Sequence, residues 1–285
     1  MMKRVAVVFA AGFAVAIAAV GQIGIPAVSA QAPVVSGRFL WQDLMTTDVA
    51  AARKFYGALL GWTFSETRVN DKPYVIAHTS QGPVGGIVDV KSIPGASSQW
   101  ISYVSVTDLD AAVRQVQTSG GKTAVPAVQL KNGRVAIVVD PQGAALGLMQ
   151  PTAAGLQRVP EPAAPIRAQF FWREYLAQDG PKAVAFYKEL LGYDAATEPQ
   201  LGADYFILKK DRARAGLFQV PAAVTNVKPN WLPYILTDDP AALAARVAGL
   251  GGRVVLEPAA NRRNGTLAIV ADPTGGVVAL QKFPF

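Results

Sequence analysis

The sequence predicts an α+β protein made of two tandem copies of one domain, each copy holding two strand–helix–strand–strand–strand units. Three observations predict it. Residues 39–62, FLWQDLMTTDVAAARKFYGALLGW, return 131 residues later as FFWREYLAQDGPKAVAFYKELLGY, with Trp41 on Trp172, Asp43 on Glu174 and Gly61 on Gly192. The offset holds further along, where Trp100, Tyr103, Asp108 and Gly120-Gly121 match Trp231, Tyr234, Asp239 and Gly251-Gly252. It then drifts by a single residue, so that Asn132-Gly133 matches Asn264-Gly265 and Asp140-Pro141-Gln142-Gly143 matches Asp272-Pro273-Thr274-Gly275. So small a drift over a whole copy means duplication of a complete domain, not a short solenoid repeat. At 285 residues the chain has room for two ordinary domains.

The first copy opens on a strand at Phe39–Thr46. Asp48 is placed to accept a backbone N–H at a helix N-terminus. Ala52, Phe55, Tyr56, Leu59 and Leu60 then recur at helical spacing on one face, and Gly61 ends the helix. Strands are predicted around 62–66, 74–79 and 84–90, with 69–73 as the loop between the first two. The second unit has a strand at 101–106, a helix over about 108–119, and strands at 123–126, 127–130, 134–139 and 146–150. Asn132-Gly133 predicts a hairpin because both residues tolerate positive φ. The first domain thus covers 38–150. Residues 151–165, rich in Ala and Pro and without periodicity, read as a linker. The second domain, 166–285, repeats the plan with one residue inserted between Gly252 and Pro258.

Composition narrows the function. Half the chain is apolar (51%) and 16% is charged, which suits packed domains. Lys3 and Arg4, an apolar run to Val20 and the small residues Val28-Ser29-Ala30 have the order of a secretory signal over residues 1–30. The protein is therefore expected in the periplasm or secreted, with no stable membrane association after cleavage. There is no cysteine, so disulfides and structural zinc are excluded and two cores must supply the stability. Of the net +7, Lys3 and Arg4 account for 2, leaving +5 after cleavage. The remaining charge is scattered, and its tight clusters, 209–212 and Arg262-Arg263, fall where turns are expected. A nucleic-acid surface would need a basic stripe with exposed aromatics. No phosphate-cradling glycine loop occurs. The single histidine, His78, sits on a strand position matched by Lys209 and reads as solvated or at an edge, so a Ser-His-Asp triad has little to draw on.

The strand–Asp–helix start with Phe55-Tyr56 and Gly61-Trp62, its copy with Phe186-Tyr187 and Gly192-Tyr193, and the two Asp-Pro-x-Gly turns resemble the vicinal oxygen chelate superfamily. That superfamily includes glyoxalase I, the extradiol dioxygenases and the bleomycin-resistance proteins. The resemblance implies that each domain is a curled eight-stranded sheet with helices outside and a ligand cavity on its concave face. It also implies a site where four His, Glu or Gln side chains hold a divalent ion with positions open for substrate oxygens. Here those positions fall on Trp41 and Trp172, on Ile101 and Leu232, and on Gly147 and Ala279. The fourth lies near 85–88 and 216–219, where Gln219 alone could coordinate. The expectation is no metal and no other cofactor.

Side chains alternate along a strand. If Trp41 faces the cavity, Asp43 and Met45 do too, with Tyr103 and Ile101 from the neighbouring strand and Met149 from the last. In the second domain the same parity selects Trp172, Glu174, Leu232, Tyr234 and Gln281. Two readings follow. In one, Trp41, Met45, Ile101, Met149, Trp172, Leu232 and Gln281 line pockets for a small, partly aromatic molecule, and Gly147 and Ala279 leave room for it. In the other, Asp43 or Glu174 is a general base with Tyr103 or Tyr234 as acid or oxyanion donor. The packing alternative is that Trp fills the vacated metal position and the carboxylate bonds to Tyr or backbone. Trp100 and Trp231, of opposite parity, are assigned to packing under the helices. A monomer of two pseudo-symmetric domains, with a small molecule as its partner, is expected.

Overall fold

A computed structural model describes residues 36–157, 162, 164–198 and 205–283. The expected signal at 1–30 lies outside these residues. The first domain consists of β1 (Phe39–Thr46), α1 (Val49–Leu60), β2 (Thr63–Val69), β3 (Lys72–Thr79), β4 (Gly82–Asp89), β5 (Gln99–Ser105), α2 (Leu109–Thr118), β6 (Lys122–Leu130), β7 (Gly133–Val139) and β8 (Ala145–Pro151). The short α3 (Ala153–Gln157) follows. The second domain repeats the order as β9 (Phe170–Ala177), α4 (Gly180–Leu191), β10 (Asp194–Thr197), β11 (Tyr205–Lys209), β12 (Ala213–Gln219), β13 (Asn230–Leu236), α5 (Pro240–Val247), β14 (Arg253–Leu256), β15 (Leu267–Ala271) and β16 (Val277–Gln281).

Each domain is one eight-stranded mixed sheet, ordered β2-β3-β4-β1-β5-β8-β7-β6 and β10-β11-β12-β9-β13-β16-β15-β14. The opening strands of the two units, β1 with β5 and β9 with β13, lie antiparallel at the centre, and each pairs in parallel with the last strand of its own unit. Helix starts follow the sequence: Asp48, Asp108, Asp179 and Asp239 each accept the backbone N–H three residues on. Gly61 and Gly192 close α1 and α4 at φ 74° and 70°, a conformation that glycine adopts without steric cost.

The sheets pack back to back, β5 and β8 of the first against β13 and β16 of the second, and α1 meets α5 and α2 meets α4 across the same boundary. One core joins α2 and the second unit of the first domain to Tyr175, Phe186 and Tyr187 of the second. The other joins α1 and Leu44 to Ile235, Ala244 and Val270. Trp100 and Trp231 lie here, as their parity requires. Tyr187 donates to Asp140 Oδ2 at 2.7 Å and accepts from Trp231 Nε1 at 2.9 Å; Tyr56 does the same with Asp272 at 3.0 Å and Trp100 at 2.9 Å. The other oxygen of each aspartate holds its own turn through backbone N–H groups. The Asp-Pro-x-Gly turns and the Phe-Tyr helix pairs are thus joined across the domain boundary. Near the pseudo-twofold axis Gln42 faces its own copy, Arg173. With the Gln42 amide oriented to accept, its oxygen lies 2.6 Å from Nε and 3.0 Å from an Nη. Burial lowers the Arg173 pKa to about 10.

Four local expectations are corrected. The strands predicted at 123–126 and 127–130 are one strand, β6. It runs through Pro126 with one register shift before Val125 and a second across Pro126, between Val125 and Val128, which an edge strand tolerates because proline's missing donor needs no partner there. The loop at 69–73 is a two-residue turn with Asn70 and Asp71 at φ 45° and 60°. Gly133 begins β7 instead of occupying the turn. The linker holds α3, whose Leu156 packs onto the concave face of the first sheet.

Candidate functional site

The concave faces carry what parity selects, with one addition. A register shift between Phe39 and Trp41, repeated between Tyr234 and Ile235 opposite β9, brings Leu40 and Phe171 onto the concave side beside Trp41 and Trp172. Trp41, Met45, Ile101, Tyr103 and Met149 form one apolar cluster with Tyr74, Leu130, Val135 and Leu156. All are buried. Asp43 is fully enclosed among them. Tyr74 Oη donates to its Oδ1 at 2.7 Å, and Trp41 Nε1 is shared between that oxygen and Tyr74 Oη at 2.9 Å each. Tyr103 approaches the carboxyl more loosely, and Oδ2 has no aligned hydrogen bond among the described residues. Burial raises the Asp43 pKa to about 7, against the opposing pull of Tyr74, Trp41 and Tyr103. The hydroxyls of Tyr74 and Tyr103 are pushed up as well, first by burial and then by Asp43.

The second cup repeats this arrangement and adds a cation. Tyr205 donates to Glu174 Oε2 at 2.8 Å and Tyr234 to Oε1 at 2.9 Å. Arg263 Nη2 pairs with Glu174 Oε2 at 2.7 Å, and the guanidinium lies 5.3 Å and 5.8 Å from the ring centres of Tyr234 and Tyr205. Burial opposes the charge on Arg263, but Glu174 and the two tyrosines outweigh it, and the pKa lies above the ordinary arginine value. Gln281 is buried. Its Oε1 accepts from Arg263 Nη1 at 3.5 Å, and its amide nitrogen donates to Thr266 and to the Lys282 carbonyl. Leu232 and Tyr234 are buried, whereas Phe171, Trp172, Leu176, Leu256, Ile269 and Val277 are only partly covered.

Two groups escaped the sequence reading. Tyr74 and Tyr205 were detectable, since they repeat at the same 131-residue offset as the tryptophans. Each passes its hydroxyl over a glycine, Gly86 or Gly216, that is the cross-strand partner of the carboxylate residue; a Cβ on either would collide with the hydroxyl. Arg263, expected on a surface turn, points into the cup, because the backbone at Arg263 and Asn264 is left-handed (φ 45° and 51°). Its counterpart Lys131 is exposed. Gly147 does not open a ligand space: the Tyr103 ring lies over it. His78 is half-buried on β3, 2.7 Å from Ser65 Oγ, and burial lowers its pKa. A shallow apolar depression bounded by Ile101, Val125 and Ile137 lies in the first domain; its enclosed space, about 10 Å³, holds no more than a water, against the roughly 300–1,000 Å³ of ordinary ligand sites.

The residues do not fit a divalent ion. The four expected positions present indole, aliphatic or no side chains, and the nearby carboxylates are already bound by hydroxyl, indole and guanidinium donors. Gln219 is engaged elsewhere, its Oε1 accepting from the Gly180 N–H at the start of α4. No group of three or more His, Cys, Asp or Glu gathers among the described residues.

The profile described as the Glyoxalase/Bleomycin resistance protein/Dioxygenase superfamily matches residues 38–148, and the one described as a Glyoxalase-like domain matches 170–280. CFP32 of Mycobacterium bovis and Mycobacterium tuberculosis, whose name carries a provisional glyoxylase assignment, is 34% identical over 251 residues, 85% of this chain and 93% of that protein. The chain belongs to the glyoxalase/bleomycin resistance protein/dioxygenase superfamily. Within it, DauV of Streptomyces sp. (strain C5), named as an anthracycline biosynthesis protein, is 31% identical over 82% of this chain and 89% of its own. Among solved structures of the superfamily, the Mn(II)-bound glyoxalase from Novosphingobium aromaticivorans superposes with a TM-score of 0.58 at 13% identity, covering 88% of this chain and 83% of that one. The 2,3-dioxygenase LapB from Pseudomonas sp. KL28 gives 0.57 at 15% identity, covering 89% and 94%. At these identities the superposition speaks for the fold alone.

Proposed function

We propose that this chain is an exported, metal-free member of its superfamily that binds a flat, partly apolar organic molecule in the cup of its second domain. The observation that carries the reading is the contrast between the cups. In the first, Leu130 and Leu156 join Trp41 and Met149 in a closed core. In the second, Phe171, Trp172, Leu256 and Ile269 stay partly exposed around a fixed polar group of Glu174, Arg263 and two tyrosines. A flat apolar wall with a few oriented polar groups is the composition of a small-molecule site. The relatives named for anthracycline biosynthesis support a planar aromatic ligand. A general-base role for Glu174 has less support, because both its oxygens already accept from Tyr234, Tyr205 and Arg263. The charged and apolar order of residues 3–20 supports export.

The test is calorimetric titration with naphthyl and anthraquinone probes. Trp172→Phe is expected to weaken binding several-fold and Trp41→Phe to leave it unchanged. Binding lost through Trp41→Phe alone, or no binding of any planar probe, overturns the proposal.

A further inference from the structure

We propose that the Arg173 guanidinium forms an anion site between the two domains and takes a small oxyanion such as phosphate, sulfate or a short carboxylate. The site lies on the backs of the sheets, apart from both cups.

Arg173 stands between Trp172 and Glu174 on β9, so alternation sends it to the opposite face, against the first domain. There Phe39 and Phe170 flank it, their ring centres 5.3 Å and 6.0 Å from the guanidinium carbon. Its copy across the pseudo-twofold axis is Gln42. A carboxylate at that position would complete an ion pair, whereas a neutral amide accepts hydrogen bonds and leaves the charge in place. The amide is itself fixed. Turned to accept, it donates through its nitrogen to Ser102 Oγ at 2.9 Å and the Ile101 carbonyl at 3.3 Å, and its oxygen takes Nε at 2.6 Å and Nη2 at 3.0 Å. Among the described residues no carboxylate stands near enough to Arg173 to hold its charge. The titratable neighbour is Tyr193, whose hydroxyl is pushed up by burial and donates to the Gly37 carbonyl. Arginine is seldom enclosed unless it is paired, and here the pairing group is missing from the chain.

The chemistry follows from which N–H groups are used. Gln42 occupies the Nε and Nη2 side of the fork. The end of the fork, Nη1 with the second N–H of Nη2, presents two parallel donors that match two oxygens of one oxyanion, and such charge-assisted bonds are about twice as strong as neutral ones. That end is not sealed: Arg173 is only partly covered, and none of its nitrogens is a fully enclosed atom without a partner. Phe39 and Phe170 crowd the guanidinium, so the anion must be small.

The test is calorimetric titration of the intact protein with phosphate, sulfate and acetate, with sodium chloride adjusted to hold ionic strength constant. The wild type is expected to take up one equivalent per chain of at least one of these, saturably, and to gain melting temperature along the same curve. The three arms decide whether the preferred ion is tetrahedral or a carboxylate. Sulfate and phosphate also stabilise folds through exclusion from their surface, but that effect does not saturate and is common to all variants. Gln42→Glu keeps the arginine and supplies an internal carboxylate, and is expected to weaken the oxyanion by about tenfold or more. Arg173→Met removes the cation and is expected to abolish saturable uptake, with circular dichroism to verify folding. No saturable uptake of any of the three by the wild type, or uptake unchanged in Gln42→Glu or in folded Arg173→Met, overturns the inference. The reading of the second cup rests on planar probes and stands or falls separately.

Discussion

Replacing Asp43 by Asn should make the first domain more stable at neutral pH than at acid pH, relative to the wild type. The Asp43 carboxyl is enclosed by apolar side chains, one oxygen has no aligned partner, and its pKa is raised to about 7. An unfolded aspartate titrates near 3.9. Between those values the folded state binds the proton and the unfolded state does not, so stability is full below about pH 4 and declines as pH rises through 7. A difference of about 3 units corresponds to about 4 kcal/mol, an upper figure for a group buried this deeply. Asparagine keeps an acceptor for Tyr74 and Trp41 but cannot ionise, so it loses this slope. Urea unfolding of both proteins at several pH values from 4.5 to 8 gives the measurement. The fixed effect of exchanging oxygen for nitrogen cancels when the stability difference at pH 8 is compared with that at pH 4.5. The expected result is a gain for the variant of about 2–4 kcal/mol across that window. A stability difference flat with pH would refute the reasoning, because it would mean that the hydrogen bonds outweigh burial and Asp43 is ionised throughout.

Two further outcomes are expected. Tyr187→Phe should destabilise the protein by about 1–3 kcal/mol in denaturant titration, since it leaves a buried Asp140 oxygen and the Trp231 N–H without their shared partner; Tyr56→Phe should act alike through Asp272. Elemental analysis of untagged protein should find no stoichiometric Ni, Zn, Fe or Mn, and a chelator should leave the melting temperature unchanged; one tightly held equivalent per domain would contradict the donor sets described here.

The fold was legible because duplication printed it twice. Caps at Asp48 and Asp179, stops at Gly61 and Gly192, and the tryptophan parity all follow from local chemistry that a single copy could mimic but two copies confirm. Departures arose where tertiary context overrides local signals. Pro126 signals a break, yet an edge strand needs no donor at that point. The alternation that placed Trp41 and Asp43 on the concave face holds from Trp41 onward, but the bulge before it admits Leu40 and Phe171, which strict parity sends outward. Arg263 was the least legible residue, because a basic pair beside Asn-Gly looks like a surface turn, and only the left-handed backbone turns one of the two inward. Gly147 misled in the opposite direction, since an absent side chain leaves space for a ligand or for a neighbouring ring, and the Tyr103 ring occupies it.

The two cups show how duplication separates roles that a single site would have to combine. Both keep the same elements: an indole, a carboxyl, a tyrosine hydroxyl passed over a glycine, and a second tyrosine from the neighbouring strand. In the first domain, where only neutral donors reach the carboxyl, burial dominates and raises its pKa to about 7. Such a core can be closed by leucines, and α3 closes it. In the second domain one loop residue adds a guanidinium, and the same carboxyl position becomes half of an ion pair. An ion pair fully sealed from water carries a desolvation cost that its mutual attraction seldom exceeds. A cup with a partly exposed wall reduces that cost. The loop that carries Arg263 accounts for the difference in charge between the cups, and α3 for the closing of the first.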